Sequence, residues 1–452
     1  MAEPESQPDC PRERLPFWCR AALATGIGTV LIIILGLTVF VIFLWFVHHR
    51  HLPNWVINLV GLALVLGALL AFWRTMRFLS RRRYRFSLRA WLIGMAVLGI
   101  LASRMHFVAR EQQALWALWR QGGSVEYRLT YREDSVWFRW LIRYFGFDPF
   151  GKILDVDVRN DGAIQTLAEH HAEFADVENV CFFGVTDRGL EHVAKLSQLP
   201  NLACANFLSS PITDTGLKHL AGWKNLQTLM LNSCSQITDA GLAHLTDLPD
   251  LEHLALFAGR GGMGLTDAGL AHVGRMSRLQ SLAVSGIPFS DSGLAQLRAL
   301  RCLERLTIDS ANITDAGLPC ISGLNIKGLS IRNTRVTDAG GEHLEKMTQL
   351  EWLSLGGPGI GDRTLVRLQK LPKLKRLSLD STQVTDDGLR HLQGMPALEE
   401  LYLRGPVFSD AGLQHLSALP TLRRLRLAGL SVTPAAVDAL RAALPECQIE
   451  VY

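Results

Sequence analysis

The chain has 452 residues, 48% of them hydrophobic, with 46 Lys and Arg against 42 Asp and Glu, for a formal net charge of +4. That length accommodates more than one domain, and the balance excludes a protein whose whole surface is a basic footprint for nucleic acid. The charge is unevenly spread: residues 1–110 hold 13 Arg, no Lys and 4 acidic residues, about +9, so residues 111–452 carry about −5.

In chain order, residues 1–20 read as a cytoplasmic tail and residues 21–110 as an all-α transmembrane region. The uncharged run at 25–47, TGIGTVLIIILGLTVFVIFLWFV, is long enough for about 30 Å of hydrocarbon and too long for a cleavable signal peptide. A second run covers 52–73, edged by Trp55 and Trp73 as expected at an interface. A third, at 86–103, is shorter and admits Arg89 by snorkelling. Seven arginines crowd residues 74–89, which places that segment and the N-terminus on the cytoplasmic side. Three spans put the remainder outside the cytoplasmic membrane, giving a multi-pass inner-membrane protein; two spans would make it a membrane-tethered cytoplasmic scaffold.

Residues 111–157 form a juxtamembrane helix and a cap. Residues 111–120 read as a helix stopped by Gly122-Gly123. Trp137, Trp140, Leu141, Tyr144 and Phe145 recur at helical spacing, as a lid on the open end of a repeat array requires. The alternative is an interfacial helix helped by Arg139 and Arg143.

Residues 158–444 are repetitive. LSLDSTQVTDDGLRHLQGMP at 377–396 has near-copies throughout, and its apolar anchor recurs at Val185, Ile212, Ile237, Leu265, Phe289, Ile313, Val336, Ile360, Val384, Phe408 and Val432. The steps are 23 to 28 residues, mostly 24, which is the signature of a solenoid. Leu374, Leu377 and Leu379 alternate like a short strand with one buried face. The Asp that follows (Asp239, Asp315, Asp338, Asp386, Asp410) occupies an expected helix N-cap. Leu389, Leu392 and Met395 line one side of a short helix, and Leu-Pro or Met-Pro closes it in several copies. One unit cannot bury its own leucines; stacked units can. The fold class expected is α/β, a leucine-rich-repeat horseshoe preceded by the transmembrane region. Pro434 replaces the repeat Asp in the last copy, and residues 445–452 supply a closing strand.

The T-D-x-G-L units resemble the leucine-rich repeats of F-box-associated and internalin-like proteins. The basic run, FSLRAWLIGMAVL, the Gly-Gly-x-Val-x-Tyr turn, the aromatic cap and the LP-x-C-x-I ending together resemble leucine-rich-repeat membrane proteins of planctomycete bacteria, over residues 80–452. The resemblance implies a bacterial envelope protein whose repeat surface binds a ligand. No F-box-like helical segment precedes the repeats, so a ubiquitin-ligase adaptor is not implied.

Motifs with competing chemistry are outweighed. GRGGMG at 259–264 has the G-x-G-x-x-G form but sits in the loop of the 28-residue repeat and lacks the acidic partner of a dinucleotide site. His192, His219, His244, His272, His343, His391 and His415 share one repeat position; parallel rungs about 5 Å apart do not converge them on a metal. Eight cysteines show no zinc spacing; one disulfide would be conceivable in an oxidising space. No nucleophile elbow, Walker A or H-E-x-x-H motif is present, so the expectation is a non-enzyme without cofactor or metal.

What remains is a surface. Side chains flanking L-x-L point out of the concave sheet: Trp352, Arg376, Asp380, Glu400, Tyr402, Arg404, Arg424 and Arg426, with Thr228, Met230, Asn232, His253, Phe257, Ser281 and Ser285 on earlier rungs. Trp, Tyr and Arg together have the composition of a binding hot spot. The expected partner is a protein or polysaccharide, not nucleic acid.

Overall fold

The computed structural model describes residues 110–128 and 152–452, except 112, 198, 406–407 and 430–431. The chain divides into two compact units, residues 1–114 with 132–149, and residues 115–131 with 150–452. The apolar runs at 25–47, 52–73 and 86–103, the arginines of 74–89 and the aromatic residues 137–145 lie outside the described residues.

Among the described residues no helix is long and apolar enough to cross a membrane. The ten-residue helix Pro434–Ala443 reaches only about 15 Å, half of what a bilayer core demands. Two expectations are corrected accordingly. The all-α transmembrane part of the fold class has no counterpart among the described residues, and the multi-pass inner-membrane location loses its support. The fold is an α/β repeat solenoid.

That solenoid begins at the helical residues 115–120, which stop as expected: Gly122 takes φ 80°, and the Gly123 amide donates to the Leu118 carbonyl at 2.9 Å. Strand β1 (Ser124–Arg128) then pairs antiparallel with β2 (Lys152–Val158). From β2 onward thirteen strands run parallel in strict chain order, ending at β14 (Gln448–Val451). Chain-order pairing follows from the period, because each unit lays its strand against that of the unit before it.

The consensus unit shows how burial drives this. Leu374, Leu377, Leu379, Val384, Leu389, Leu392 and Met395 are each at most 2% exposed. Between β2, with seven residues, and β14, with four, each strand is five residues long; the second and fourth side chains enter the core, and the first, third and fifth lie on the other face of the sheet. Immediately after most strands one residue adopts a left-handed conformation: Ser209, Ser310 and Ser381 have φ of 48°, 59° and 53°, and Gly184, Gly286 and Gly429 have φ of 62–72°. This residue turns the chain out of the sheet toward the helical side.

The expectation that Asp caps its own helix is also corrected. The cap is the preceding Thr or Ser, as where Thr314 Oγ1 accepts from the Ala316 amide at 3.2 Å. Asp is the first helical residue, and its carboxylate serves the next unit. Asp291 accepts from the Thr314 amide at 2.8 Å and from Thr314 Oγ1 at 2.6 Å. The same pair of bonds begins at Asp161 and Thr186 and ends at Asp410 and Thr433. Glycine two residues after the Asp makes this possible: a Cβ on Gly317 would lie 2.3 Å from Asp291 Oδ1. The T-D-x-G signature is therefore a bracket between units.

Candidate functional site

The leucines fill the core and the Thr-Asp pairs join the units, so chemistry is left to the open face of the sheet. Over its C-terminal half this face is built from β9 (Gly328–Arg332), β10 (Trp352–Gly356), β11 (Arg376–Asp380), β12 (Glu400–Arg404) and β13 (Arg424–Ala428). Parallel register lines up three rows across these strands. The first is Gly328, Trp352, Arg376, Glu400, Arg424; the middle is Ser330, Ser354, Ser378, Tyr402, Arg426; the last is Arg332, Gly356, Asp380, Arg404, Ala428.

All eight side chains expected at the site fall within these rows. Their environments differ. Asp380 is 8% exposed and is flanked by two guanidinium groups. Arg332, two strands away, reaches it across the gap left by Gly356, and Arg404 stands 3.8 Å off on the other side. Arg424 pairs with Glu400 at 3.6 Å, and Arg426 Nε donates to Glu450 at 2.8 Å. The Tyr452 hydroxyl also donates to Glu450 at 2.8 Å; that bond and the Arg426 guanidinium hold its carboxyl below the usual range, while Glu450 in turn raises Arg426 and Tyr452. Arg376 is exposed and has no partner among the described residues. Trp352 packs over Gly328, where a Cβ would stand 3.0 Å from its Cε3.

Arg332, Gly328, Gly356 and the serines Ser330 and Ser354 belong to the site although sequence reasoning passed over them. The signal was available: aligning GLSIR with RLSLD and ELYLR puts Arg332 in the column of Asp380 and Arg404. The two glycines let Trp352 and Arg332 fold down over a floor of serines, and Ser330 and Ser354 are each only 4% exposed.

Thr228, Met230 and Asn232 on β5 (Thr228–Asn232), His253 and Phe257 on β6 (His253–Phe257) and Ser281 and Ser285 on β7 (Ser281–Ser285) occupy the same face, half-buried. None of them carries a guanidinium group. The GRGGMG loop follows β6; Gly259 and Gly262 take φ of 60° and 70°, and Gly259 sits on Ser233. The histidines lie on the helical side, as in Asp239–Leu245 and Asp410–Leu416. Among the described residues no group of three His, Cys, Asp or Glu is placed to hold a metal. The six described cysteines are free thiols, and burial pushes the Cys234 thiol up to about 11.

Comparison with known proteins agrees on the repeat. A family described as Leucine Rich repeat matches residues 370–392. Among solved structures, the chain is similar to an internalin from Listeria monocytogenes at 21% identity and TM-score 0.45, over 64% of this chain and 76% of that one. It is similar to internalin C2 of the same organism at 18% identity and TM-score 0.28, over 56% of this chain and 79% of that one. No curated protein matches it. The matched residues make up about one unit of the solenoid, whose strand, turn and short helix recur along β2–β14.

Proposed function

We propose that the chain is a non-catalytic recognition module, and that a protein or polysaccharide partner sits on the C-terminal half of its sheet face. One observation carries this reading: Trp352, Tyr402 and five arginines share the face of β9–β13 around a floor of serines, and none of them is needed to fill the core. Trp and Tyr supply large contact area at little cost in conformational freedom, and arginine supplies a planar fork of donors, which is why such residues dominate the energetics of interfaces.

The resemblance to planctomycete repeat proteins is compatible with this role and adds no ligand. The test is a photo-crosslinking amino acid placed at Ser378, on the floor, or at Arg363, on the helical side. The full chain should label a partner from host extract through position 378 and not through 363. Equal labelling from both positions, or labelling from 363 alone, would overturn the reading.

A further inference from the structure

The charges on this face alternate in sign from strand to strand, and the alternation restricts what can bind. In the first row the order is Arg376, Glu400, Arg424. In the last row Asp380 stands between Arg332 and Arg404, and in the middle row Arg426 is followed by Glu450. Neighbouring strands are about 4.8 Å apart, so a continuous polyanion such as a sulfated glycan or nucleic acid would lay charge against Glu400 as well as against the arginines. A polypeptide can place charge at intervals.

The arginines are not equally available. Arg332 occupies Asp380 from across Gly356, which leaves Arg404 59% exposed and only loosely paired. Arg376 has no partner among the described residues. Arg424 holds Glu400 at 3.6 Å with both groups over two-fifths exposed, a contact of the kind worth little in water. A carboxylate from outside can therefore engage Arg376 and Arg424 without breaking anything the fold depends on. Arg376 and Arg424 lie two strands apart, about 10 Å, a distance that a segment in polyproline II conformation covers in three residues at about 3.1 Å each, with the first and fourth side chains on the same side.

Building on the proposed recognition role, we infer that this face takes an acidic protein segment carrying two carboxylates three residues apart, with neutral or basic residues at the two positions between them, where Glu400 disfavours further negative charge. Arg376 and Arg424 receive the two carboxylates, and Trp352 packs beside the first.

The experiment pans a random phage-displayed peptide library on the full chain, then measures synthetic copies of the enriched peptides by fluorescence anisotropy against wild type, Arg376→Glu and Thr307→Arg, with heparin as a competing polyanion; Thr307 lies on the same face beside Ser330, one strand before β9. Arg376 is exposed and has no partner among the described residues, so its replacement should leave the fold intact. Enriched peptides should share the acidic pair at that spacing, weaken at least tenfold on Arg376→Glu, and regain affinity for that variant when their first acidic residue becomes Lys. Heparin should compete poorly. Peptides that lack the acidic pair, or heparin binding more tightly than they do, would overturn the inference. Loss on Thr307→Arg with indifference to Arg376→Glu would overturn it while leaving the sheet face as the binding surface. Indifference to both variants would remove both readings.

Discussion

Asp291 shows how much one side chain carries between two units. Its carboxylate reaches forward to the Thr314 amide and hydroxyl, and Gly317 is small because Oδ1 occupies the space. One unit breaks the pattern. Gly361 stands where the capping Thr belongs, and Thr364 stands where the glycine belongs. The bonds survive by exchange: Asp338 accepts from the Gly361 amide at 2.8 Å and from Thr364 Oγ1 at 2.6 Å. Thr364 is completely buried, so Thr364→Gly leaves the Asp338 carboxylate short of a hydroxyl and adds a helical glycine. Together these cost about 2–3 kcal/mol. Adding Gly361→Thr rebuilds the regular bracket and should recover most of that loss. Urea midpoints of the two variants decide it; a double variant no more stable than Thr364→Gly alone would mean the bracket is not what Thr364 supplies. A similar economy holds at Asp267: burial raises its carboxyl, but hydrogen bonds from Ser290 and Ser292 more than offset this and leave it below the usual range.

At the scale of one unit, strand, turn and short helix depend on a single left-handed residue. Ser310 follows β8 (Arg305–Asp309) at φ 59°, a region that suits glycine and is costly for β-branched side chains. Ser310→Gly should be neutral or slightly stabilising, and Ser310→Val should cost about 1–2 kcal/mol. Thermal melts of the two give the sign; equal melting temperatures would show that the turn does not constrain the unit. At this scale the sequence was largely readable. The period, the strand phase and the identity of the buried leucines all follow from short-range spacing, because a residue that enters the core recurs with every unit. The phase of L-x-L also puts Arg376, Tyr402 and Arg424 on the open face. The purpose of the Thr-Asp pair was not readable, since a carboxylate bound to the next unit occupies the same place in sequence as one capping its own helix. Nor was the pairing of Arg332 with Asp380, which depends on the absence of a side chain at Gly356, one strand between them. Single-unit spacing carries no information about a neighbour's missing atoms.

The whole solenoid is a line of units in which each strand of β2–β14 bonds only to those beside it. Its brackets are equally local, Asp239 to Thr266 and Asp267 to Ser290. Stability is then a sum of unit and nearest-neighbour terms, and damage to one unit should spread to its neighbours and fade. Leu329, the second residue of β9, is fully buried, and Leu329→Ala removes core volume at a cost of about 2–5 kcal/mol. In a single compact core that loss would lower protection everywhere. Here it should raise amide exchange in β8, β9 and β10 while β3 (Asn179–Phe183) to β5 exchange as in wild type. Exchange measured by mass spectrometry on peptides from both regions separates the two behaviours. A uniform rise from β2 to β14 would show that the units unfold as one body. A rise confined to the neighbours of β9 would mean that the proposed binding face can loosen without disturbing the N-terminal half.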